Sequence, residues 1–445
     1  MSAAAHVNRA GGIDVTVVER GSYTSYSMCG IPYYVAGMFD EAEDLVVRSP
    51  EDFREGGMTV LMQTEAVDVD SGARTVGVRD LRSGAERELA YDALLLATGA
   101  EPSVPDVPGM RRYAHPLRTL DQARELRERL DGEHTAEAVV IGAGYVGLEM
   151  AEALVTRGVA TTLVDRSHEV MKSLDPDMAG VVEQALAAQG VMVRLGESVE
   201  AIEGGDEERV RVVTDRGSYP AGLVVLAAGT RPNTGLAKAA GCAIGTSGGV
   251  VVDTRMRTTV PGVWAAGDLV ESCDLVGGLR RNVQLGTHAN KQGKVAGIDL
   301  VAAAHGGSGD AEFPGLVGTA VTRVCDLEVA RCGLSTTEAE QAGLDYAVTT
   351  FTGTAMSGYM PDAGTVHVKM LAERETGRII GCQLVGTGNV AKRIDVAAVW
   401  CHTRMTVQQA QFLDLSYAPP FGGVWDLLQV AARKLTKELG LRPQL

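Results

Sequence analysis

Residues 138–147 read Ala138-Val139-Val140-Ile141-Gly142-Ala143-Gly144-Tyr145-Val146-Gly147. The first four form a short β-branched run, the pattern of a strand buried on both faces of a parallel sheet. A helical pattern follows from Leu148 to Arg157, and Gly158 stands where a left-handed cap is wanted. A second strand is expected from Val159 to Val164, ending at Asp165. Each part of this unit has a task in holding a dinucleotide. Gly142 makes the tight turn, Gly144 lets backbone approach a pyrophosphate, and Gly147 lets helix and strand pack closely. The helix start offers unpaired N–H groups to the phosphates. Asp165, 18 positions after Gly147, is placed to hold ribose hydroxyls. An acid there repels a 2′-phosphate, so NADH is expected in preference to NADPH.

The same unit recurs at the start of the chain. Gly12, Thr16, Val18, Glu19 and Arg20 match Gly158, Thr162, Val164, Asp165 and Arg166 at a constant shift of 146. On that register Met1 falls on Gly147, so the first strand and glycine loop of this copy are expected to be missing. Either the start is cut or misassigned, which is the favoured reading, or the site is degenerate. In both cases neighbouring strands are expected to lose ladder partners.

Composition supports an α/β architecture of several domains. The chain has 445 residues, 45% of them apolar and only 4% aromatic, with 54 glycines. Its net charge of −16 argues against nucleic acid or an anionic membrane as partner. Seven cysteines without a CxxC pair or zinc spacing point to free thiols in a reducing cytoplasm and to no metal site. No apolar run reaches membrane-spanning length and no signal-peptide pattern opens the chain, so a cytoplasmic protein is expected.

Further segments fit a design with two nucleotide-type cofactors. Asp92 to Gly99 reads as a buried strand ending in the small-residue turn Thr98-Gly99, and Leu223 to Thr230 repeats it around Gly229. Gly262 to Asp268 places an acid after another strand, able to accept a hydrogen bond from a flavin ribityl hydroxyl. Pro105–Gly109 reads as a linker, Leu117–Leu130 as a charged amphipathic helix, and Gly306–Gly309 as a boundary. A strand over Thr365–Met370 and a helix over Asp395–Thr403 are expected beyond it.

Cys29 follows the first unit, in Ser25-Tyr26-Ser27-Met28-Cys29-Gly30-Ile31-Pro32-Tyr33. A helix starting there is expected to lower its pKa and favour the thiolate that attacks disulfides. A CxxxxC partner would stand at Thr24 or Tyr34, and neither is cysteine. Cys29 must therefore cycle through a mixed disulfide with a small thiol, or through a sulfenic acid. It also fits as a small packed side chain. The other six cysteines have no such context and read as packing residues.

At this point the chain resembles the pyridine nucleotide–disulfide oxidoreductases. Ser25-xxx-Cys29-xx-Pro32-Tyr33, Leu285–Gly293 and Ser416-Tyr417-Ala418-Pro419-Pro420-Phe421 are similar to segments of the coenzyme A disulfide and polysulfide reductases. The resemblance implies two Rossmann-like domains and a C-terminal α+β dimerisation domain. FAD would be held by residues 1–115 and 246–308, NAD(P)H by 116–245, and the dimer by 311–445. It implies Cys29, Tyr359 and Tyr417 as catalytic residues, with Cys29 of one subunit facing the C-terminal domain of the other. Glu149 matches a helix residue near nicotinamide and flavin. The implied cofactor contacts are Glu19, Arg20, Ser25, Thr98, Gly99, Gly142, Gly144, Gly147, Glu149, Asp165, Gly229 and Asp268. Three departures stand out: the absent FAD loop, Met28 where asparagine is common, and Asn8 (with Arg9 adjacent) where an arginine helps hold coenzyme A phosphates. The expected activity is reduction of coenzyme A disulfide or a related persulfide or polysulfide. The alternatives are an NADH oxidase or peroxidase using a Cys29 sulfenic acid, and a flavin-free nucleotide-binding protein.

Overall fold

The computed structural model describes residues 1–132, 135–206 and 209–442. Glu137–Ile141 is a strand, as its β-branched run predicts, paired in parallel with Ala160–Asp165 and with Leu223–Leu226. Ala114–Pro116 and Met192–Leu195 complete a five-stranded parallel sheet, one at each edge. Val139, Val140, Leu163, Val224 and Val225 are fully buried, as strands covered on both faces must be. The crossover helix runs Tyr145–Thr156, three residues earlier than its apolar pattern alone implies, because Gly144 in extended backbone serves as its cap. Gly158, just past its end, has φ 81°.

The first half echoes the second but is assembled differently. Thr16–Val18 pairs in parallel with Thr59–Leu61, and Leu94–Leu96 with Val263–Ala265. These pairs are separate ladders, and no strand among the described residues bridges them. The expected buried strand over 92–99 is corrected accordingly. It spans only Leu94–Leu96, with Asp92 and Ala93 exposed and Leu94 and Leu95 half-buried, since one ladder edge has no partner strand to cover it. Each half also carries a three-stranded antiparallel meander, 64–90 in the first and 199–221 in the second. The opening helix, Ser2–Ala10, lies hard against Gly286–Ala304. A Cβ on Gly297 would sit 3.1 Å from the Ala3 backbone, and one on Gly293 would sit 3.2 Å from Ser2 Cβ. Glycines four apart share a helix face, so both open the same contact.

The C-terminal part is a five-stranded antiparallel sheet in the order Ala320–Val324, Leu327–Gly333, Ile379–Gly386, Thr365–Glu373, Tyr346–Thr354. Val390–His402 and Leu427–Glu438 pack on it around Trp400 and Leu428. The first of these helices begins five residues before the expected Asp395. Its early turn is stabilised by Glu328, whose carboxylate accepts the Ala391 N–H at 2.6 Å from another strand. This sheet is tied to the nucleotide half through buried Asp175. Its Oδ1 accepts the Thr336 N–H and hydroxyl, each at 2.9 Å, and Lys369 Nζ lies 2.9 Å from its Oδ2. No helix among the described residues is long and apolar enough to cross a membrane.

Candidate functional site

The three loop glycines divide their work as the spacing implies. Gly142 has φ 111° and a Cβ there would collide with the Ala227 carbonyl. A Cβ on Gly147 would strike the Gly142 carbonyl, so helix and turn close only around glycine. A Cβ on Gly144 would meet nothing within 4 Å. Asp165, ending its strand, accepts the Ala143 N–H on Oδ2 at 2.7 Å and the Ser167 N–H on Oδ1 at 2.7 Å. Glu19, its counterpart in the first half, accepts the Gly21 N–H at 2.6 Å, the same two-residue reach. Arg20, next to it, lies 3.6 Å from Glu65 at the surface.

Cys29 sits in the single 3-10 turn Met28–Gly30 that runs into the short helix Ile31–Val35. A Cβ on Gly30 would meet Leu45 Cδ2 at 2.2 Å, so the Leu45 side chain packs directly over the turn. Ser25 pairs with Arg48 in a two-stranded ladder just upstream. The thiol is displaced upward, against the expectation of a lowered value. Desolvation is the largest cause, and the negative charges of Glu149 and Asp268 add to it. Its own backbone N–H acts the other way but is the smallest influence. A helix of one and a half turns supplies too little positive end to offset the partial desolvation of this exposed thiol and the charge of two carboxylates. Glu149, on the Tyr145–Thr156 helix, is itself pushed up by burial and held by Thr322, whose hydroxyl donates to Oε1 at 2.6 Å.

Asp268 pairs with Arg118 at 2.7 Å, both side chains about four-fifths buried (22% and 18% exposed). The preceding Gly267 has φ 85° and donates its N–H to Gln292 on the Gly286–Ala304 helix at 2.8 Å. The two small-residue turns meet each other. Ala100–Pro102 and Thr230–Pro232 form an antiparallel ladder, flanked by Asn233 N–H to Gly99 O and Ser103 N–H to Gly229 O, both 2.9 Å. Thr98 Oγ1 donates to Asn233 O at 2.7 Å. Thr98, Gly99 and Gly229 thus form one double crossing between the halves. Tyr359 and Tyr417 line a different cavity, of about 340 Å³, with Arg393 and Trp425. Neither hydrogen-bonds Cys29 among the described residues.

The pyridine nucleotide-disulphide oxidoreductase family matches residues 1–293, and its dimerisation domain matches residues 319–427. The chain belongs to this family. The NAD(P)H sulfur oxidoreductase (CoA-dependent) of Pyrococcus furiosus is 37% identical over 98% of this chain and 96% of its own length. An NAD-dependent persulfide reductase from A. fulgidus superposes with a TM-score of 0.94 at 37% identity, over 99% of this chain and 82% of that one. An engineered water-forming NADPH oxidase, a mutant of the Lactobacillus brevis NADH oxidase, superposes with a TM-score of 0.92 at 28% identity, over 99% and 97%.

Two residues of this oxidoreductase's site escape a sequence reading. Arg118 is 150 positions from Asp268, and Thr322 is 173 positions from Glu149. Neither has a local pattern to mark it; only the packing of distant segments creates the pairs. Groups that would suit a flavin lie together: a Cβ on the left-handed Gly99 would be 3.9 Å from the Arg118 guanidinium that pairs with Asp268, and one on the left-handed Gly267 would be 3.6 Å from Ala289 Cβ near the start of the 19-residue Gly286–Ala304 helix. Charged and backbone groups of that kind suit a ribityl chain and an electron-rich ring.

Proposed function

We propose that this chain is an FAD-dependent NAD(P)H oxidoreductase that reduces coenzyme A disulfide or a related persulfide or polysulfide through Cys29. The observation that carries the reading is the cysteine's solitude. It is exposed, while the other six are buried or half-buried. It also lies in the electrostatic reach of Glu149 on the nucleotide helix and of Asp268. A lone reachable sulfur flanked by two cofactor elements is built to exchange with an outside sulfur. The names of the P. furiosus and A. fulgidus relatives support the same chemistry.

The division of labour follows. The Gly142–Gly147 loop and Asp165 hold NADH; Glu19, Arg20, Ser25, Thr98, Gly99 and Asp268 orient FAD. A bound flavin would supply the two-electron path from nicotinamide to sulfur. The Cys29 thiolate attacks one sulfur of the disulfide and releases the first thiol. Two electrons and a proton then cleave the mixed disulfide, releasing the second thiol and restoring Cys29. Thr322 donates to Glu149 Oε1, which leaves Oε2 to carry that carboxyl's proton within electrostatic reach of Cys29. The proposed assembly is a cytoplasmic homodimer through the C-terminal domain, where Tyr359, Phe421 and Val424 are 75%, 68% and 70% exposed on one chain. In it Tyr359 and Tyr417 of one subunit face Cys29 of the other and protonate the leaving thiolate.

A second reading, oxygen reduction through a Cys29 sulfenic acid, is favoured by the fit to the water-forming oxidase. The deciding experiment is an anaerobic NADH titration of the purified protein, followed by turnover with coenzyme A disulfide, polysulfide or oxygen. A yellow protein that consumes more than one equivalent of NADH and frees a thiol supports the sulfur reading. Undiminished disulfide turnover in Cys29→Ser removes it.

NADH is the proposed donor because of Asp165, yet the neighbouring positions resemble the NADPH-using engineered enzyme. Its five substitutions turn a glycine and the aspartate 18 positions later into alanine, the next two residues into arginine and serine, and a proline seven positions after the aspartate into arginine. Here Gly147 and Asp165 are also 18 apart, and Arg166 and Ser167 follow.

A further inference from the structure

We infer that Arg393 is the positioning residue of the tyrosine pair: its guanidinium clasps the loop that carries Tyr359 to the loop that carries Tyr417 and fixes both to the core of the C-terminal domain. The inference rests on the reading of those tyrosines as proton donors to the leaving thiolate. It goes beyond that reading by naming what holds them.

The phenols do not hold themselves. Tyr359 is 75% and Tyr417 46% exposed, and neither hydroxyl makes a hydrogen bond among the described residues. The Tyr359 stretch runs between the strands Tyr346–Thr354 and Thr365–Glu373, and the Tyr417 stretch runs ahead of the helix Leu427–Glu438. Neither tyrosine belongs to a helix or strand, so the loop backbone sets its place. That place matters, because a proton donor works only within about 2.6–3.2 Å of the atom it serves. A misplacement of about 1 Å can cost about a hundredfold in rate.

Arg393 reaches both loops from a third element. It stands on the helix Val390–His402, whose Val390, Ile394 and Ala397 are fully buried against the sheet. Its Nη2 donates to Ala355 O at 3.3 Å and to Phe421 O at 3.2 Å, one carbonyl from each tyrosine loop. Its Nε donates to Asp426 Oδ2 at 2.9 Å, while Asp426 Oδ1 accepts the Leu428 N–H at 2.9 Å at the head of the last helix. Ser357 adds two bonds across the loops, from its N–H to Pro419 O at 3.0 Å and from its hydroxyl to Gly422 O at 3.1 Å. The Ser357 bonds tie loop to loop; the guanidinium also ties both loops to a buried helix. A planar fork with donors in fixed directions can span such acceptors, and a lysine ammonium on its flexible stem cannot do so in one geometry. Arg393 lines the same cavity as the two tyrosines, so the clasp lies at the site it serves. Its Nη1 is buried without a hydrogen-bond partner among the described residues, a cost that packing alone does not call for.

The test is a double-mutant cycle on the whole flavin-loaded protein. Anaerobic stopped flow separates flavin reduction by NADH from turnover of coenzyme A disulfide, or of polysulfide if that is the acceptor. Arg393→Lys keeps the charge opposite Asp426 and loses the fork. It should lower kcat with the sulfur acceptor at least about tenfold and leave flavin reduction within about twofold of the parent. Added to Tyr359→Phe/Tyr417→Phe, the same change should cost no more than about twofold, because nothing is left to position. Asp426→Asn keeps oxygens for Arg393 and Leu428, loosens the clasp from its far end, and should show the same pattern on a smaller scale. It decides the matter should the lysine variant not fold. A smaller loss than about tenfold in Arg393→Lys, or an equal loss with and without the tyrosine hydroxyls, makes Arg393 a packing residue and overturns the inference while the tyrosines keep their role. Full turnover in Tyr359→Phe/Tyr417→Phe removes the tyrosine reading itself, and the clasp falls with it.

Discussion

A thiol within reach of two carboxylate charges resists ionisation, and this is the condition of Cys29. Glu149 is the larger of the two charge effects on it. Replacing Glu149 with Gln keeps an oxygen for Thr322 but removes the charge. The apparent pKa of Cys29, followed as iodoacetamide alkylation rate against pH, should then move downward, with faster labelling near neutrality. An unmoved profile would show that partial desolvation alone sets the thiol. Stability should respond in step. Because Glu149 is raised above its unfolded value, the folded chain keeps a proton that the unfolded chain has lost, so stability is intact below the ordinary carboxylate range and declines as pH rises through the group's own. The Gln variant should melt closer to the parent at pH 5 and above it at pH 8. None of this was legible near residue 29. The motif marks the cysteine, but its two perturbers lie 120 and 239 positions away. The place of Asp165 at the end of its strand was legible because it depends on short-range spacing, whereas the hydrogen bonds it accepts from Ala143 and Ser167 required coordinates.

At the scale of the element, the glycine loop separates folding from binding. Gly147→Ala drives a Cβ into the Gly142 carbonyl and should cost about 1–3 kcal/mol, read as a lower urea midpoint. Gly144→Ala meets no protein atom, so its midpoint should stay within about 0.5 kcal/mol of the parent. Its NADH affinity should fall at least about tenfold, because the new methyl occupies the approach of the pyrophosphate. Equal effects on both measurements at both positions would contradict this division. The strand and helix around this loop follow from periodicity, since both are local patterns. The helix at Val390–His402 was misjudged at its start because the carboxylate that stabilises it comes from Glu328, on a strand 63 residues before Ala391.

Across the whole molecule, the two related halves are unequally knit. The second has five strands in one ladder; the first has two separate pairs with half-exposed leucines. Local opening follows the number of buried ladder partners. Hydrogen exchange should therefore be faster by at least an order of magnitude at Thr16–Val18 and Leu94–Leu96 than at Glu137–Ile141, and added FAD should slow the first group selectively. Uniform protection would mean the separate pairs are as stable as the single sheet. The internal repeat showed that two such halves exist, because its residues align at one shift. It could not show how the C-terminal sheet is anchored, since the Lys369–Asp175 contact joins residues nearly two hundred positions apart.

The unequal exposure of the cysteines has a practical side. Bulky maleimides reach exposed sulfur and are held off by tight packing. With Cys29 exposed, Cys273 half-buried and the other five buried, the unmodified chain should accept one spectroscopic reporter rapidly under native conditions and seven after denaturation. A fluorophore or spin label could thus be placed beside the reactive centre with no cysteine removed first.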